Sequence, residues 1–292
     1  MAEASLLRQH AEEAAAALPP LLVEAERVAA TVAQGVHGRR RVGTGETFWQ
    51  FRQYQPGDAA TRVDWRESAK SQRLYVRETE WEAAQSVFLW RDASASMDYA
   101  SAPSLPTKRR RADLLTLALA VLLARGGERV ALLGAGLPPS HGRAVLDRLA
   151  LLLARDMPGD NLPAFEPLPR HAHVVLMGDL LAPLPEVQAL VARFAAGFAK
   201  GHLLQILDPA EETLPFSGRV RFEGLEREDP LLISRVETVR EAYGERLARH
   251  REGLAAIARG AAWSFGTHRT DRPPHTALLA LYAALAPQQG WR

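Results

Sequence analysis

The chain has 292 residues, of which 47% are hydrophobic and 24% are charged. These are ordinary values for a globular protein, and they exclude disorder as its main state. The chain has no Cys, which excludes a disulfide scaffold, a thiolate metal site and a Cys nucleophile. Its 36 basic and 34 acidic residues nearly cancel, so the net charge gives no support to nucleic-acid binding.

The sequence also indicates where the protein would be located. Residues 1–4 are not a basic region followed by an apolar run, which is the mark of an export signal. No stretch of about 18 uncharged apolar residues occurs, so we expect no membrane span. Together these features predict a cytoplasmic protein.

The first 84 residues predict an N-terminal region that precedes the main domain. Helical composition and spacing predict two helices within residues 4–34. Residues 46–85 hold a dense share of the aromatic residues, and residues 74–80 have the pattern of a strand. Some forty residues are too few to hold a separate core, so we expect this aromatic segment to pack on the domain that follows.

From residue 85 to residue 290, predicted strands alternate with predicted helices. The sheet strands are expected at residues 86–91, 129–134, 172–177, 203–207 and 262–266. A hairpin is expected at residues 218–222 and 231–235, followed by a long helix over residues 236–259. The alternation predicts an α/β fold with a doubly wound, mainly parallel sheet and helices on both faces.

A polar loop follows the first strand of this predicted sheet. It carries Asp92, Ser94 and Ser96 at alternate positions, and Asp179 follows a later strand. Sites in doubly wound sheets form at the carboxyl ends of strands near the topological switch point, so we expect the four side chains to converge. Carboxylate and hydroxyl oxygens suit Mg²⁺, which prefers oxygen ligands at about 2.1 Å.

The pattern Asp92-x-Ser94-x-Ser96 with a later Asp179 resembles the metal-ion-dependent adhesion site of von Willebrand factor A domains. The resemblance implies a Rossmann-like fold of that type, with Ser94 and Ser96 as direct Mg²⁺ ligands. It implies that Asp92 and Asp179 act mostly through water and that an acidic side chain of a partner completes the shell. That family's threonine ligand has no equivalent in residues 137–142, where Ser140 is the available substitute.

The upstream segment resembles the signature of the family called domain of unknown function 58. The matching motifs are Arg52-x-Tyr54-x-Pro56-Gly57-Asp58, Arg62-x-Asp64-Trp65, Ser68-Ala69-Lys70 and, downstream, Leu207-Asp208-Pro209-x-Glu211. The resemblance covers roughly residues 46–285. It implies a von Willebrand-like domain behind the aromatic segment. It also implies a MoxR-type AAA+ ATPase as partner, because members are commonly encoded beside one.

The upstream segment admits two interpretations. In the first, it is a partner-binding surface formed by Arg52, Tyr54, Asp58, Arg62, Asp64 and Trp65. In the second, which we favour, its aromatic residues cover an edge of the sheet and its charges pair locally. Asp58 and Asp64 would then cap helical turns.

The basic run at residues 108–111 is interpreted as solvated surface charge.

Three classes of function are compatible with these patterns. The first is a non-enzymatic interaction adaptor, assisted by Mg²⁺ and acting with an AAA+ ATPase, and this is the one we expect. The second is a Mg²⁺-dependent phosphohydrolase with Asp92 as nucleophile, although Ser94 stands where that chemistry typically places a second acid. The third is a nucleic-acid binder, which the charge balance disfavours. The sequence has no phosphate-binding G-x-x-x-x-G-K-[ST] motif, so any ATP hydrolysis would belong to the partner.

Overall fold

The computed structural model describes residues 20–36, 47–54, 63–70, 73–80, 84–155, 159–225 and 229–285. The first of the two predicted N-terminal helices lies outside these ranges, as do Asp58 and Arg62. The chain forms two compact units. The larger comprises Met1–Gly38 and Gln85–Arg292, and the smaller is Arg39–Ala84.

The described residues form helices and strands that we number along the chain. They are α1 (Pro20–Val36), β1 (Thr47–Gln53), α2 (Trp65–Ser68), β2 (Tyr75–Glu80), β3 (Ser86–Arg91), α3 (Lys108–Arg125), β4 (Arg129–Leu132), α4 (Arg143–Ala154), β5 (His173–Gly178), α5 (Leu184–Ala196), β6 (Lys200–Leu207), α6 (Pro209–Thr213), β7 (Val220–Phe222), β8 (Leu231–Ile233), α7 (Arg240–Gly260), β9 (Ser264–Arg269) and α8 (Pro274–Leu285).

The larger unit is built on a five-stranded sheet in the order β4-β3-β5-β6-β9. All four neighbouring pairs are parallel, so the predicted α/β architecture is confirmed. The chain goes from β3 to β4 on one side of the sheet and returns to β5 on the other side of β3. The order therefore reverses between β3 and β5, and a crevice forms there at the carboxyl ends of the strands.

The two faces of the sheet are covered by different helices. Successive side chains of a strand point to opposite faces, so Val87 and Leu89 of β3 join one apolar cluster while Phe88 and Trp90 join the other. Helices α1, α3, α4 and α8 contribute to the first cluster, and α5 and α7 to the second. Helix α3 is buried nearly all round, which explains why its sequence is apolar on every side.

Several predicted boundaries shift in the structure, and the shift of α3 has an identifiable reason. Helix α3 begins at Lys108, four residues before its apolar run, because the Thr107 side chain caps it by accepting a hydrogen bond from Arg110 N at 3.1 Å. Strand β9 begins at Ser264 rather than residue 262.

The predicted hairpin is confirmed as the antiparallel pair β7 and β8. Strand β2 is confirmed too, whereas its antiparallel partner β1 was not predicted.

Two of the buried histidines lie on neighbouring strands of the sheet, His202 on β6 and His268 on β9. Burial lowers the pKa of His202 to about 4 and, together with the nearby Arg111, lowers the pKa of His268 to about 4. Both values lie below the ordinary pKa of histidine, so a proton binds more tightly to the unfolded chain. The stability these groups contribute is full above about pH 6.5 and is lost as the pH falls toward 4.

We therefore expect the free energy of unfolding to fall by about 2 kcal/mol for each of these histidines between pH 7 and about pH 5. The carboxyl of Asp113 acts in the opposite sense and offsets part of this, because burial raises its pKa to about 6. The measurement is urea denaturation at both pH values. His202→Gln should lose less stability on acidification than the parent chain. The exposed His275→Gln is the control, and equal pH sensitivity of both variants would contradict the expectation.

Candidate functional site

The loop after β3 turns sharply around the carboxylate of Asp92. This residue is fully buried, and its backbone N donates to Met177 O of β5 at 2.8 Å. Asp92 Oδ1 accepts hydrogen bonds from Ser94 N at 2.8 Å and from Ser94 Oγ at 2.6 Å. A short 3-10 turn, Ala95–Asp98, then leads the chain away. The carboxylate thus fixes the position of the first hydroxyl.

The second half of the site comes from the end of β5. Ser96 Oγ donates to Asp179 Oδ2 at 2.7 Å and lies 3.0 Å from Ser94 Oγ. Asp179 is buried, and its Oδ1 accepts from Leu181 N at 3.2 Å. The structure therefore brings together four of the predicted site residues in one row of close polar contacts, which we call the polar centre: Asp92, Ser94, Ser96 and Asp179.

A buried lysine adjoins the polar centre. Lys108, the first residue of α3, is fully buried. Its Nζ lies 3.0 Å from Asp179 Oδ2 and 2.5 Å from Glu211 Oε1. Burial by itself would lower the pKa of Lys108, but the carboxylates of Asp179 and Glu211 outweigh burial, and the pKa lies above its ordinary value. The lysine is therefore a charged group in the interior, held between two acids.

Glu211 is positioned by a capping box at the start of α6. Asp208 Oδ1 accepts from Ala210 N at 2.8 Å, and Glu211 Oε2 accepts from Asp208 N at 2.8 Å. The other oxygen of Glu211 is left for Lys108. Burial raises the pKa of Glu211, against the opposing effect of Lys108. The motif Asp208-Pro209-x-Glu211 therefore has a structural role, because it caps α6 and directs Glu211 toward Lys108. The resemblance to a family signature did not reveal this role.

The interpretation of residues 108–111 as solvated surface charge is wrong. Besides the buried Lys108, Arg109 reaches over the site loop and donates to Ala93 O at 3.1 Å and to Ser94 O at 3.3 Å. Arg111 is buried and donates to the carbonyl oxygens of Thr270 and Arg272. The basic run is therefore structural, because most of its side chains secure loops at the carboxyl edge of the sheet.

The two serine hydroxyls have the spacing that a Mg²⁺ ion requires. Two adjacent ligands of an octahedral ion, each at about 2.1 Å, lie about 3.0 Å apart, and the two Oγ atoms are 3.0 Å apart. Each hydroxyl also has a carboxylate oxygen within 2.7 Å to accept its proton. Among the described residues, no group of three or more His, Asp or Glu side chains could hold a metal, so an ion here would depend on the hydroxyls.

Ser140 is not brought to the polar centre. It forms an antiparallel bridge with Val130, and Val130 pairs with Val87 near the start of β3. Asp92 lies five positions after Val87, a distance of about 16 Å along an extended chain. The Ser140 hydroxyl donates to Pro138 O at 3.1 Å instead. The structure thus gives the polar centre two neutral protein hydroxyls, and Ser140 does not supply a third.

The residues considered as a partner-binding surface lie in the smaller unit. Asp64 caps α2 by accepting from Arg66 N and Glu67 N at 3.1 and 3.0 Å, which is the local structural role that we favoured. Trp65 is 65% exposed, and Tyr54 lies at the exposed end of the β1–β2 pair. Arg52 lies on β1 in register with Val76. An exposed indole is the feature of this group that suits an interaction surface.

A glycine beside the polar centre allows Asp92 to sit where it does. A Cβ atom on Gly178 would lie 2.6 Å from Asp92 Cβ and 2.8 Å from its Oδ2. We expect Gly178→Ala to displace the Asp92 loop and to cost about 1–3 kcal/mol of unfolding free energy, as overpacking typically does.

Gly244→Ala is the matched control for this substitution. Gly244 lies in α7 with open space around it, so an alanine there should stabilise the helix by about 0.5–1 kcal/mol. Chemical denaturation of both variants gives the comparison. A Gly178→Ala variant as stable as Gly244→Ala would show that the loop does not depend on this close approach.

Three solved structures with a weak likeness to this chain come from bacteria. An aerotolerance-related membrane protein of Bacteroides fragilis is 15% identical, covering 69% of this chain and 98% of its own, with a TM-score of 0.42. The protein BatB of Bacteroides thetaiotaomicron is 14% identical, covering 68% and 98%, with a TM-score of 0.41. A membrane-spanning protein of Vibrio fischeri is 12% identical, covering 68% and 96%, with a TM-score of 0.22. These likenesses are too distant to inform function.

The predicted cytoplasmic location is corrected by these neighbours. Two of them are described as a membrane protein and a membrane-spanning protein, which contradicts it, and we withdraw it. In the described part of the chain, no helix combines the length and the apolar character needed to cross a bilayer.

Relatives by sequence cover nearly the whole chain. Uncharacterized proteins of Mycobacterium bovis and of two Mycobacterium tuberculosis strains are 28% identical over 275 residues, which is 88% of this chain and 85% of each relative. The model of the protein family of unknown function DUF58 matches residues 50–253. This match includes the polar centre, Lys108 and Glu211, and the chain belongs to the DUF58 family.

Proposed function

We propose that this chain is a non-enzymatic interaction module with a von Willebrand factor A-like fold. In this proposal the polar centre binds Mg²⁺ and recognises an acidic side chain of a protein partner. The partner is a MoxR-type AAA+ ATPase, and the pair acts in the assembly or maturation of protein complexes. The observation that carries the proposal is the row of close polar contacts formed by Asp92, Ser94, Ser96 and Asp179 at the switch point of the sheet.

The chemistry of the donor set favours binding over turnover. Ser94 and Ser96 would hold the ion, while Asp92 and Asp179 would accept the hydroxyl protons and keep the oxygen lone pairs directed toward it. The bound ion would supply a strong positive charge with open coordination positions. Because both direct ligands are neutral, that charge remains available to a carboxylate of the partner.

The surface around the polar centre supports a protein partner. Ser96 is part-buried rather than enclosed, and Leu181, two residues after Asp179, is 48% exposed. An exposed leucine beside a polar site offers apolar contact area of the kind that interface cores use. The phosphohydrolase alternative has less support, because Asp92 is fully buried and one of its oxygens already accepts two hydrogen bonds.

We expect Ser94→Ala and Ser96→Ala each to weaken binding of the ATPase at least tenfold, because each removes one of the two ion ligands. The measurement is surface plasmon resonance of the purified chain against the ATPase, held in one nucleotide state at constant Mg²⁺. Constant Mg²⁺ matters because chelation would also strip the metal from the nucleotide of the ATPase.

Ser140→Ala is the matched control, because this serine hydroxyl bonds to Pro138 O away from the polar centre. It should bind like the parent chain. If all three serine variants bind the ATPase equally well, the polar centre is not the contact. The exposed Trp65 would then be the next candidate, tested by Trp65→Ala.

A further inference from the structure

Lys108 places a positive charge beside Asp179, one of the two carboxylates of the polar centre. Its ammonium shares Asp179 Oδ2 with the Ser96 hydroxyl, at 3.0 and 2.7 Å. A Mg²⁺ ion bound to Ser96 Oγ would therefore lie within about 8 Å of Lys108 Nζ, given a metal–oxygen distance of about 2.1 Å. Both cations would act on the same buried carboxylate.

A buried carboxylate needs a counter-charge, because transfer of an isolated ion out of water is strongly unfavourable. Asp179 and Glu211 meet this requirement through a single lysine, which lies between them with no exposed surface. Backbone and hydroxyl donors complete the shells of both acids: Leu181 N and Ser96 Oγ at Asp179, and Asp208 N at Glu211. Each acid therefore has the ammonium and at least one further hydrogen-bond donor without a metal.

We propose that Lys108 is a resident cation of the polar centre: it is the counter-charge that Asp179 and Glu211 share when no Mg²⁺ is bound, and its charge weakens Mg²⁺ binding by the free chain. The inference deepens the proposed metal centre and rests on it. Like charges inside a protein repel more strongly than in water, so the ion binds firmly only when the carboxylate of a partner joins the site. Metal and partner then bind cooperatively, each raising the affinity for the other.

The test is thermal unfolding of the chain alone, with and without millimolar Mg²⁺ at matched ionic strength. Without Mg²⁺, Lys108→Met should lower the Tm on the order of 10 °C, because it leaves the buried Asp179 and the half-buried Glu211 without their shared cation. Added Mg²⁺ should raise the Tm of Lys108→Met by about 5 °C more than that of the parent chain, since the ion now binds without competition. A Mg²⁺ response no larger than the parent's would overturn the proposal.

Arg111→Met is the matched control. It removes a buried cation from the same helix, one whose guanidinium donates to the carbonyl oxygens of Thr270 and Arg272 rather than to the acids of the centre. This variant should also lose stability, but Mg²⁺ should not restore it. Equal recovery of both variants would mean that Mg²⁺ stabilises the chain elsewhere, and this outcome too would overturn the proposal.

A double variant keeps the test decisive if Lys108→Met does not fold. Lys108→Met with Glu211→Gln removes one acid together with the cation, so it should be more stable than Lys108→Met and should fold without Mg²⁺. A double variant that also fails to fold, or that is no more stable, would overturn the proposal. These readouts need no partner, so they are independent of the ATPase binding that tests the proposed function.

Discussion

The parallel pairing of β3 with β5 is the constraint on which the polar centre depends. The register places Arg91 opposite Met177, so both strands end at the same level of the sheet. The backbone bond from Asp92 N to Met177 O continues the ladder one residue further. The loops that follow must then separate, because β3 connects to one side of the sheet and β5 to the other. The crevice between them is where the two aspartates and two serines meet.

Burial of charge is the second constraint, and it extends the site beyond the crevice. The first turn of α3 brings Lys108 under the loop, and the capping box of α6 brings Glu211 to meet it. Glu211 is therefore shared between a helix cap and an ion pair. Any movement of α6 would disturb Lys108 and, through it, Asp179. The polar centre and α6 are thus coupled by direct contacts.

Local patterns in the sequence were enough to predict the core of the site. Asp92, Ser94 and Ser96 follow an apolar strand at alternate positions, and such a loop can turn its polar side chains to one point. Asp179 required one more step, which was to recognise that a second strand of a parallel sheet ends at the same edge. Both steps use only the strand pattern and the rule that parallel strands share their carboxyl edge.

The parts that were not predicted depend on contacts between distant segments. Lys108 and Glu211 are 103 positions apart, and a basic run at a helix start has the composition of an exposed surface. The signal available was the spacing of Asp208 and Glu211, which is that of a capping box. Ser140 was misplaced for a similar reason: its loop folds back to pair with Val130, and nothing in residues 137–142 specifies that bridge.

The same network connects the polar centre to the long helix α7 on one face of the sheet. Gln205 Nε2 donates to Asp179 O at 2.9 Å, and Gln205 Oε1 accepts from Arg251 of α7 at 2.9 Å. Arg251 also pairs with Glu212 at 2.6 Å, beside Glu211. A change in the charge balance around Asp179 would therefore reach α7 through hydrogen bonds rather than through a flexible loop. In the proposed function, occupancy of the polar centre would reach a helix 21 residues long by this route.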